Sequence, residues 1–312
     1  MPDAKVAVLV PCYNEEAAIS AVVRDFRAAL PFAQIYVYDN NSADKTVERA
    51  REAGALVRRE TRQGKGNVVR RMFADVEADI YVLVDGDDTY DASAAPALIR
   101  KLVEEGLDIV SGRRVAMDQS AYRPGHVIGN RMLTWLTSVM FRVRLHDLLT
   151  GYRVMSRRFV KSFPFTAEGF GIETELTVHA VRLLMPMAEV ETRYKERPQG
   201  SVSKLNTWRD GFRILFTIAA LVREERPLIF FSTIFGLLAA FSLILGTPVV
   251  LDYFRTGFVP RLPTALVAVG SMVLAFLSLA SGLILDTVTR GRWEDKRMAY
   301  LAIPGPQGLT LP

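Results

Sequence analysis

Cysteine and histidine are scarce in this chain, and their scarcity limits the chemistry that it can perform. Cys12 is the single cysteine among 312 residues. An intrachain disulfide framework is therefore excluded, and a reducing compartment is the expected environment. The three histidines, His126, His146 and His179, are isolated in the sequence, and no obvious Asp–His pair presents itself. We interpret them as structural or surface residues.

An apolar leader is also missing. The first residues, Met1-Pro2-Asp3-Ala4-Lys5, lead directly into a predicted strand without a preceding hydrophobic region. Since a secretory signal peptide requires such a region, we expect none here.

Charge is absent from two long stretches near the C-terminus. Residues 227–251 and residues 262–285 contain no Asp, Glu, Lys or Arg. Each stretch is long enough to cross a bilayer core, which requires ~20 apolar residues. The sequence therefore predicts two transmembrane helices, with a buried helical hairpin as the alternative.

The basic residues around these stretches predict their orientation, because positively charged flanks stay on the cytoplasmic side. The short connector carries only Arg255 and Arg261. We therefore expect the connector to lie outside and residues 287–312 to form a cytoplasmic tail, whose proline and glycine content after Tyr300 predicts disorder. The outer flanks carry Arg223, Arg226, Arg290, Arg292, Lys296 and Arg297.

Two common nucleotide-binding fingerprints are missing as well. No G-x-G-x-x-G follows the first predicted strand, and the loop Arg62-Gln63-Gly64-Lys65-Gly66-Asn67 lacks the glycine spacing and the Lys-Ser/Thr ending of a Walker A loop. Dinucleotide oxidoreduction and P-loop phosphoryl transfer are therefore disfavoured. A calcium loop starting at Asp85 also fails, because Tyr90 replaces the required glycine and Pro96 replaces the required glutamate.

Short apolar strands alternate with helical patterns between residue 5 and about residue 115. Such alternation predicts an α/β fold, in which helices cover both faces of a mostly parallel sheet. Ligands bind such sheets at the carboxyl ends of the strands. The predicted strands are Lys5–Val10, Ile35–Asp39, Ala55–Arg58, Ile80–Val84 and Asp108–Ser111, and the predicted helices are Glu15–Leu30, Ala43–Ala53, Asn67–Val76 and Ala94–Glu105.

Two further helical patterns, Ile128–Leu145 and Leu205–Val222, combine Trp, Phe, Leu and Met with arginine. This mixture suits a helix that lies in a membrane interface, and packing against the domain core is the alternative for the first helix. The second pattern runs into the first apolar stretch, so we expect residues 204–226 to lie close to the membrane.

Polar residues follow each of the first four predicted strands, in the segments 13–15, 39–42, 62–66 and 85–87. The last segment supplies Asp85 and Asp87 directly after an apolar strand. Carboxylates at positions i and i+2 can turn toward one hard cation, which keeps other positions open for phosphate oxygens. Lys65 and the glycines beside it could hold an anion at a helix start. An acidic surface turn is the alternative for the aspartate pair.

Taken in order and spacing, these motifs resemble the GT-A glycosyltransferases of family 2. Later motifs resemble the polyprenyl-phosphate glycosyltransferases, that is, the dolichyl-phosphate mannose synthase group and its bacterial relatives, some of which carry a membrane hairpin. The resemblance covers about residues 5–210. The motifs are Pro11-Cys12-Tyr13-Asn14-Glu15-Glu16, Asp39-Asn40-Asn41-Ser42-Ala43-Asp44, Gly64-Lys65-Gly66, Asp85-Gly86-Asp87, Ser111-Gly112-Arg113, Thr150-Gly151-Tyr152-Arg153 and Arg197-Pro198-Gln199-Gly200-Ser201-Val202-Ser203-Lys204.

The resemblance implies a nucleotide-diphosphate sugar donor and a divalent metal, Mg2+ or Mn2+, held by Asp85 and Asp87. Many relatives have glutamine where this chain has Thr89, which leaves the third ligand open. Tyr13 and Glu15 would contact the nucleoside and Asp39 the base or ribose. The remaining residues implied in donor binding are Pro11, Asn41, Lys65, Gly86, Arg197, Ser201 and Lys204.

The resemblance also implies an inverting transfer to polyprenyl phosphate, either dolichyl or undecaprenyl phosphate. Such a phosphate is largely anionic at neutral pH, because its second pKa lies near 6, so no strong general base is required. Binding of the acceptor phosphate requires positively charged side chains instead. The candidates are Arg113 and Arg131, followed by Arg114 and Arg153, and a surface salt bridge is the alternative for each. Glu173 and Glu175 are candidates for the sugar pocket, and helix capping is the alternative for them.

Two other functions fit parts of the sequence. Asp85-x-Asp87-x-Thr89 resembles the nucleophile motif of haloacid-dehalogenase-type phosphatases, but no later strand ends in the acidic pair that those enzymes require. A membrane-tethered nucleotide-sugar binder without turnover is the second alternative. We expect residues 1–203 to form a cytoplasmic GT-A domain, residues 204–226 an interfacial helix, residues 227–286 the hairpin and residues 287–312 the tail, with no nucleic-acid partner and with homo-oligomerisation left open.

Overall fold

A computed structural model of the chain describes residues 4–116, 132, 134–135, 137–163, 171–195, 219–220 and 222–311. The chain divides into two compact units. The first unit comprises Met1–Ile214 together with Lys296–Pro312, and the second comprises Leu215–Asp295. We call them the sheet unit and the hairpin unit.

The sheet unit contains a seven-stranded sheet in the described part of the chain, with the strand order β3-β2-β1-β4-β6-β5-β7. Strand β6 runs antiparallel to both of its neighbours, whereas all other pairs are parallel. The predicted class, a mostly parallel α/β sheet, is confirmed. The strands are β1 (Val6–Cys12), β2 (Gln34–Asp39), β3 (Leu56–Arg59), β4 (Ile80–Leu83), β5 (Ile109–Ala116), β6 (Arg153–Ser156) and β7 (Met187–Tyr194).

The central strands are apolar because they lie between two layers of helices. Every residue of β1, β4 and β6 is buried, as expected for strands that are covered on both faces. Helix α1 packs one apolar face, built from Ile19, Val22, Val23 and Phe26. The helices of this unit are α1 (Ile19–Ala29), α2 (Thr46–Glu52), α3 (Lys65–Asp75), α4 (Ala95–Glu104), α5 (Arg157–Ser162) and α6 (Ile172–Arg182).

Strand register brings the predicted polar segments to one edge of the sheet. In the β1–β2 ladder Cys12 pairs with Asp39, and in the β1–β4 ladder Leu9 pairs with Leu83. The chain therefore leaves β1, β2 and β4 at adjacent points, with the polar segments directly after them. This edge is where a ligand is expected in an open α/β sheet.

Two helices are long and apolar enough to cross a membrane, α7 (Pro227–Thr256) and α8 (Leu262–Leu301). The hairpin unit contains α7 and the part of α8 up to Asp295. They run antiparallel, since Ser278 Oγ donates to the carbonyl of Phe231 at 3.1 Å and Ser242 Oγ donates to that of Ala268 at 2.7 Å. Small residues and serine hydroxyls are typical of helix contacts within a bilayer. Helix α8 also continues past the predicted end of the span.

The C-terminal tail differs from the predicted disordered segment, because it packs on the sheet unit. Tyr300 donates its hydroxyl hydrogen to Asp108 Oδ2 at 2.8 Å, and the guanidinium of Arg158 lies 4.7 Å from the centre of the Tyr300 ring. Further along, the carbonyl of Thr310 accepts from the backbone N–H of Ala4 at 2.9 Å. Leu309 and Leu311 pack against the core. These apolar and hydrogen-bonding contacts explain why the tail is ordered, although its proline and glycine content predicted disorder.

Removing the Tyr300 hydroxyl tests this attachment. We expect Tyr300→Phe to destabilise the sheet unit by about 1 kcal/mol, because the buried carboxylate of Asp108 loses one donor but keeps Arg158. The measurement is thermal unfolding of the full chain in detergent. Tyr253→Phe, at an exposed tyrosine, is the matched control. Equal melting temperatures for Tyr300→Phe and wild type would contradict the attachment.

The buried histidine predicts a pH dependence of stability. His179 lies between the rings of Phe159 and Phe163, and burial lowers its pKa to about 3. An unfolded histidine takes up a proton near pH 6.5, so the unfolded chain binds more protons between about pH 3 and pH 6.5. Stability is therefore fully present above about pH 6.5 and is lost as the pH falls through this window.

We expect wild type to lose about 2 kcal/mol more than His179→Leu between pH 6.5 and pH 5, since each pKa unit corresponds to about 1.4 kcal/mol. Chemical unfolding of both proteins at the two pH values measures this difference. Parallel losses in the two proteins would show that His179 does not titrate as proposed.

Candidate active site

A cavity of about 380 Å³ opens at the carboxyl ends of β1, β2 and β4 and at the start of α3. Its size lies in the range of small-molecule sites. Residues from all four predicted polar segments or their immediate neighbours line it, so the expected convergence of four strand ends is present. The lining residues are Pro11, Cys12, Tyr13, Glu15, Asn40, Gln63, Gly64, Lys65, Val68, Asp85, Gly86 and Asp87.

The loop after β1 is held by the loop after β2. Asn14 accepts from the backbone N–H of Ala43 through Oδ1 at 2.8 Å, and its own N–H donates to Ser42 Oγ at 2.9 Å. The N–H of Glu15 donates to Thr46 Oγ1 at 2.9 Å. These bonds fix the backbone on either side of Tyr13 and Glu15 and so set the cavity wall on the β1 side.

Asn40 joins the loop after β2 to the loop after β3. Its side-chain N–H2 donates to the carbonyls of Glu60 and Arg62, and its Oδ1 accepts from the N–H of Gly64 at 2.7 Å. Gly64 adopts φ +124°, which an L side chain rarely adopts, and directly precedes α3. The start of α3 is therefore pinned at the cavity. A helix N-terminus in this position favours an anionic ligand.

Asp39 and Asn41 stabilise the β2 loop from within. Both carboxylate oxygens of Asp39 lie within hydrogen-bond distance of the N–H of Ser42, at 3.2 and 3.3 Å. Asn41 adopts φ 65° and donates to the carbonyl of Thr61 at 2.9 Å and to Gln63 Oε1 at 3.1 Å. Neither residue belongs to the cavity lining, in contrast to Pro11, Tyr13, Glu15, Lys65 and Gly86.

Asp85 and Asp87 follow β4 and line the cavity. Asp87 is buried, and its Oδ1 accepts from Thr89 Oγ1 at 2.6 Å and from the Thr89 N–H at 3.3 Å. Thr89 thus orients Asp87. Between them, Asp88 adopts φ 56°, a left-handed conformation that aspartate tolerates better than most residues. Asp85 and Asp87 both line the cavity.

Lys65 lies between two carboxylates. Its Nζ is 2.5 Å from Asp85 Oδ1 and 2.5 Å from Glu173 Oε1. Burial alone would lower the pKa of the ammonium, but Asp85 and Glu173 raise it well above its usual value. Burial raises the pKa of Asp85, and Lys65 opposes that shift. For Glu173, burial would raise the pKa, but Lys65, the backbone N–H of Glu173 and Arg153 together hold it below its usual value. The ammonium is therefore firmly protonated.

Two glycines lie where a side chain would collide with a neighbouring residue. A Cβ at Gly151 would overlap the Asp85 carboxylate and would lie 2.7 Å from its Cγ. A Cβ at Gly86 would lie 2.6 Å from Cys12 Sγ. The Gly151 N–H also donates to the hydroxyl of Tyr90 at 2.7 Å, which fixes the glycine in place. Both glycines belong to motifs named in the sequence analysis, and the short distances to Cys12 and Asp85 explain why a side chain is disfavoured at each position.

The donor set fits a hard divalent cation that is bound partly by its ligand. Among the residues that the structure describes, no three His, Cys, Asp or Glu side chains are grouped as a metal cluster. Asp85 and Asp87 supply two carboxylates on the wall of an open cavity. Mg2+ and Mn2+ accept such a pair, with the remaining positions filled by phosphate oxygens and water.

The basic candidates for the acceptor are in different environments. Arg113 is partly exposed and pairs with Glu191 at 3.2 Å. Arg114 binds both carboxylate oxygens of Asp147 at 2.8 Å. Arg131 lies outside the described residues, as do Arg197, Ser201 and Lys204 among the donor candidates.

Arg153 is fully buried, and its bonds lie inside the protein. It donates to the carbonyls of Thr150, Leu148 and Glu173 and to Thr177 Oγ1, at 2.8 to 3.2 Å. These bonds brace the start of α6 and leave the Arg153 guanidinium inside the protein, away from the surface at which an acceptor would bind. Glu173, a candidate for the sugar pocket or for capping, lies in the first turn of α6 and contacts Lys65. No short-range pattern indicates this contact, because 108 residues separate the partners.

Comparison with known proteins agrees with this site. The chain matches the family model "Glycosyl transferase family 2" over residues 7–163. Glycosyltransferase AglJ of Haloferax volcanii is 35% identical over 235 residues, which cover 75% of this chain and 77% of AglJ. A dolichyl-phosphate hexose transferase of the same organism is 30% identical over 220 residues, which cover 70% of this chain and 95% of that protein.

The fold also matches a solved structure, glucosyl-3-phosphoglycerate synthase from Mycobacterium tuberculosis in complex with Mn2+, UDP and glucosyl-3-phosphoglycerate. The TM-score is 0.56 at 25% identity, with 70% of this chain and 79% of that chain covered. The family model, the relatives and the fold agree with the motif resemblance. The chain is a glycosyltransferase that belongs to glycosyltransferase family 2, has the GT-A fold and falls in the polyprenyl-phosphate glycosyltransferase-like group.

Proposed function

We propose that this enzyme transfers one hexose-type sugar from a nucleotide-diphosphate sugar to polyprenyl phosphate, with inversion, at the cytoplasmic face of a membrane. The observation that carries the proposal is the cavity in which Asp85, Asp87 and Lys65 meet the start of α3. A relative named for dolichyl-phosphate hexose transfer and a neighbour bound to UDP and Mn2+ support it. The donor is GDP- or UDP-linked, and the acceptor carries a dolichyl or undecaprenyl chain.

The donor would lie along the cavity from the β1 loop to the aspartate pair. Pro11, Tyr13 and Glu15 line the β1 side and would face the nucleoside. Asp85 and Asp87 would hold Mg2+ or Mn2+ against the diphosphate. The N-terminus of α3, with Gly64 and Lys65, adds partial and full positive charge to the cavity lining. The cation and the start of α3 would thus both oppose the negative charge of the donor.

The reaction breaks the bond between the anomeric carbon and the donor diphosphate and forms a bond from that carbon to an acceptor phosphate oxygen. The leaving nucleoside diphosphate gains negative charge, which a bound divalent cation stabilises most as the bond breaks. The acceptor is already anionic and attacks without giving up a proton to a base. This agrees with His146 and His179 lying outside the residues that line the cavity.

The acceptor side of the proposal rests on basic residues and on the hairpin. Arg113 on β5 and Arg131 are the candidates for the lipid phosphate. Arg113 is available to an incoming anion because its partner Glu191 is largely exposed and such a pair is weak. Helices α7 and α8 would anchor the enzyme in the bilayer that holds the lipid. Residues 1–203 would be the cytoplasmic catalytic domain and residues 204–226 an interfacial helix.

The described C-terminal residues change the expected domain boundaries. Helix α8 continues to Leu301, and the residues after it pack on the sheet unit, so the last part of the chain would belong to the catalytic domain.

The two alternative functions, a phosphatase and a nucleotide-sugar binder without turnover, do not agree with the comparisons, because family 2 membership makes the protein a glycosyltransferase.

The metal role of the acidic pair is tested by Asp87→Asn. We expect this change to lower transfer at least a hundredfold, because a neutral amide holds the cation and the developing charge less well. The assay supplies Mn2+, short polyprenyl phosphate and a radiolabelled panel of UDP- and GDP-sugars. Glu104→Gln, which removes an exposed charge from α4, is the control with unchanged transfer. Transfer by Asp87→Asn at the wild-type rate would rule out the metal role.

The position of Asp85 is tested by Gly151→Ala. The new methyl group would overlap the Asp85 carboxylate, so we expect Mn2+-dependent transfer to fall by about a hundredfold or more. Gly291→Ala adds the same methyl group to α8 where no atom lies within 4 Å, and it should be silent. Both variants are assayed beside their melting temperatures. A folded Gly151→Ala enzyme with full activity would contradict the proposed placement of Asp85.

A further inference from the structure

One ammonium group connects three distant parts of the sheet unit. Lys65 is the first residue of α3, Asp85 follows β4, and Glu173 lies in the first turn of α6. The 2.5 Å contacts of Lys65 Nζ to both carboxylates make it a bridge between the donor cavity and α6. A lysine that served only to bind a phosphate group would not need a second carboxylate beside its ammonium.

Both residues that pair with Lys65 have further neighbours of their own. Asp85 is confined on one side by Gly151, where no side chain fits, and has Asp87 as a like-charged neighbour. Glu173 is held through its backbone carbonyl, which accepts from Arg153 Nη2 at 2.9 Å and from Thr177 Oγ1 at 3.1 Å. Lys65 has the longest side chain of the three, and its four-carbon stem allows the ammonium to move between the two carboxylates.

We propose that Lys65 acts as a built-in counter-ion for Asp85 in the metal-free enzyme, and that Glu173 retains the ammonium when a divalent cation takes over Asp85. The inference rests on the metal use in the proposed function and goes beyond it, by assigning Lys65 and Glu173 as positioning residues for cation binding. Lys65 then stays in the cavity wall, bound to Glu173, and does not contact the donor diphosphate directly.

The sign of each effect follows from charge. The ammonium competes with a cation for Asp85 and repels it, so removing Lys65 should raise Mn2+ affinity. Removing the Glu173 charge leaves Asp85 as the only carboxylate partner of the ammonium in this bridge, so it should lower Mn2+ affinity. Each change should be roughly three- to tenfold, the size of one partly screened ion pair.

The experiment is an Mn2+ titration of the full chain in detergent, followed by electron paramagnetic resonance, without nucleotide and with saturating UDP or GDP. The proteins are wild type, Lys65→Met, Glu173→Gln and the double variant. Lys161→Met is the matched control, because Lys161 also bridges a carboxylate and two carbonyls but lies on α5. We expect tighter binding for Lys65→Met, weaker binding for Glu173→Gln and wild-type binding for Lys161→Met.

The double variant separates two roles of Glu173. If Glu173 acts through Lys65, then Glu173→Gln has no effect on Mn2+ affinity in the Lys65→Met background. If it still weakens binding there, Glu173 contacts the cation directly and the inference is overturned. Unchanged or weaker binding by Lys65→Met also overturns it, while the metal role in the proposed function survives. Wild-type protein that binds Mn2+ under none of these conditions overturns both.

A measurement on the wild-type enzyme does not depend on the folding of any variant. Acylation of Lys65 by an amine-reactive reagent, followed by mass spectrometry, reports how tightly the ammonium is held. We expect Mn2+ alone to speed the labelling of Lys65 severalfold over protein in EDTA, because one of its two carboxylates is withdrawn. Lys101, paired with Glu105 on the surface of α4, should label equally in both conditions. Equal or slower labelling of Lys65 with Mn2+ overturns the inference.

Discussion

The partly buried contact of one ammonium with two carboxylates is the interaction on which the rest of the site depends. Charges withdrawn from water are costly unless they are paired, and a buried carboxylate left alone tends to become protonated. Burial pushes the pKa of Asp85 upward, and Lys65 is the group that opposes this shift most strongly. In the structure the Lys65 ammonium lies 2.5 Å from Asp85 Oδ1 and so supplies a positive charge directly beside that carboxylate. Asp87, oriented by Thr89, adds the second carboxylate on the same cavity wall.

The sheet places these charges where a nucleotide diphosphate can meet them. Parallel strands deliver their carboxyl ends to one edge, and Asn14 and Asn40 then tie each loop to the next by side-chain to backbone hydrogen bonds. Every such bond fixes the backbone beside a cavity residue instead of contacting a ligand itself. The binding geometry is thus set in advance, and less entropy is lost when a substrate binds.

Much of this arrangement could be predicted from local pattern. The alternation of apolar strands with helices and the position of Asp85 and Asp87 after an apolar strand are short-range features, and they predicted the parallel sheet and the polar edge. Strands β6 and β7 were not predicted, because they pair with partners far away in sequence. The contact of Lys65 with Glu173 and the burial of Arg153 depend on the same long-range packing. The order of the tail depends on Tyr300 and Asp108, 192 residues apart.

The central claim is that Asp85 and Asp87 hold a divalent cation against a nucleotide diphosphate in this cavity. The most direct measurement is the anomalous scattering of Mn2+ in crystals of the enzyme grown with UDP or GDP. The account predicts a peak within coordination distance of the Asp87 carboxylate, with the diphosphate between that peak and the start of α3. A well-ordered nucleotide with no peak at the aspartate pair, or a peak bound elsewhere in the molecule, would contradict it.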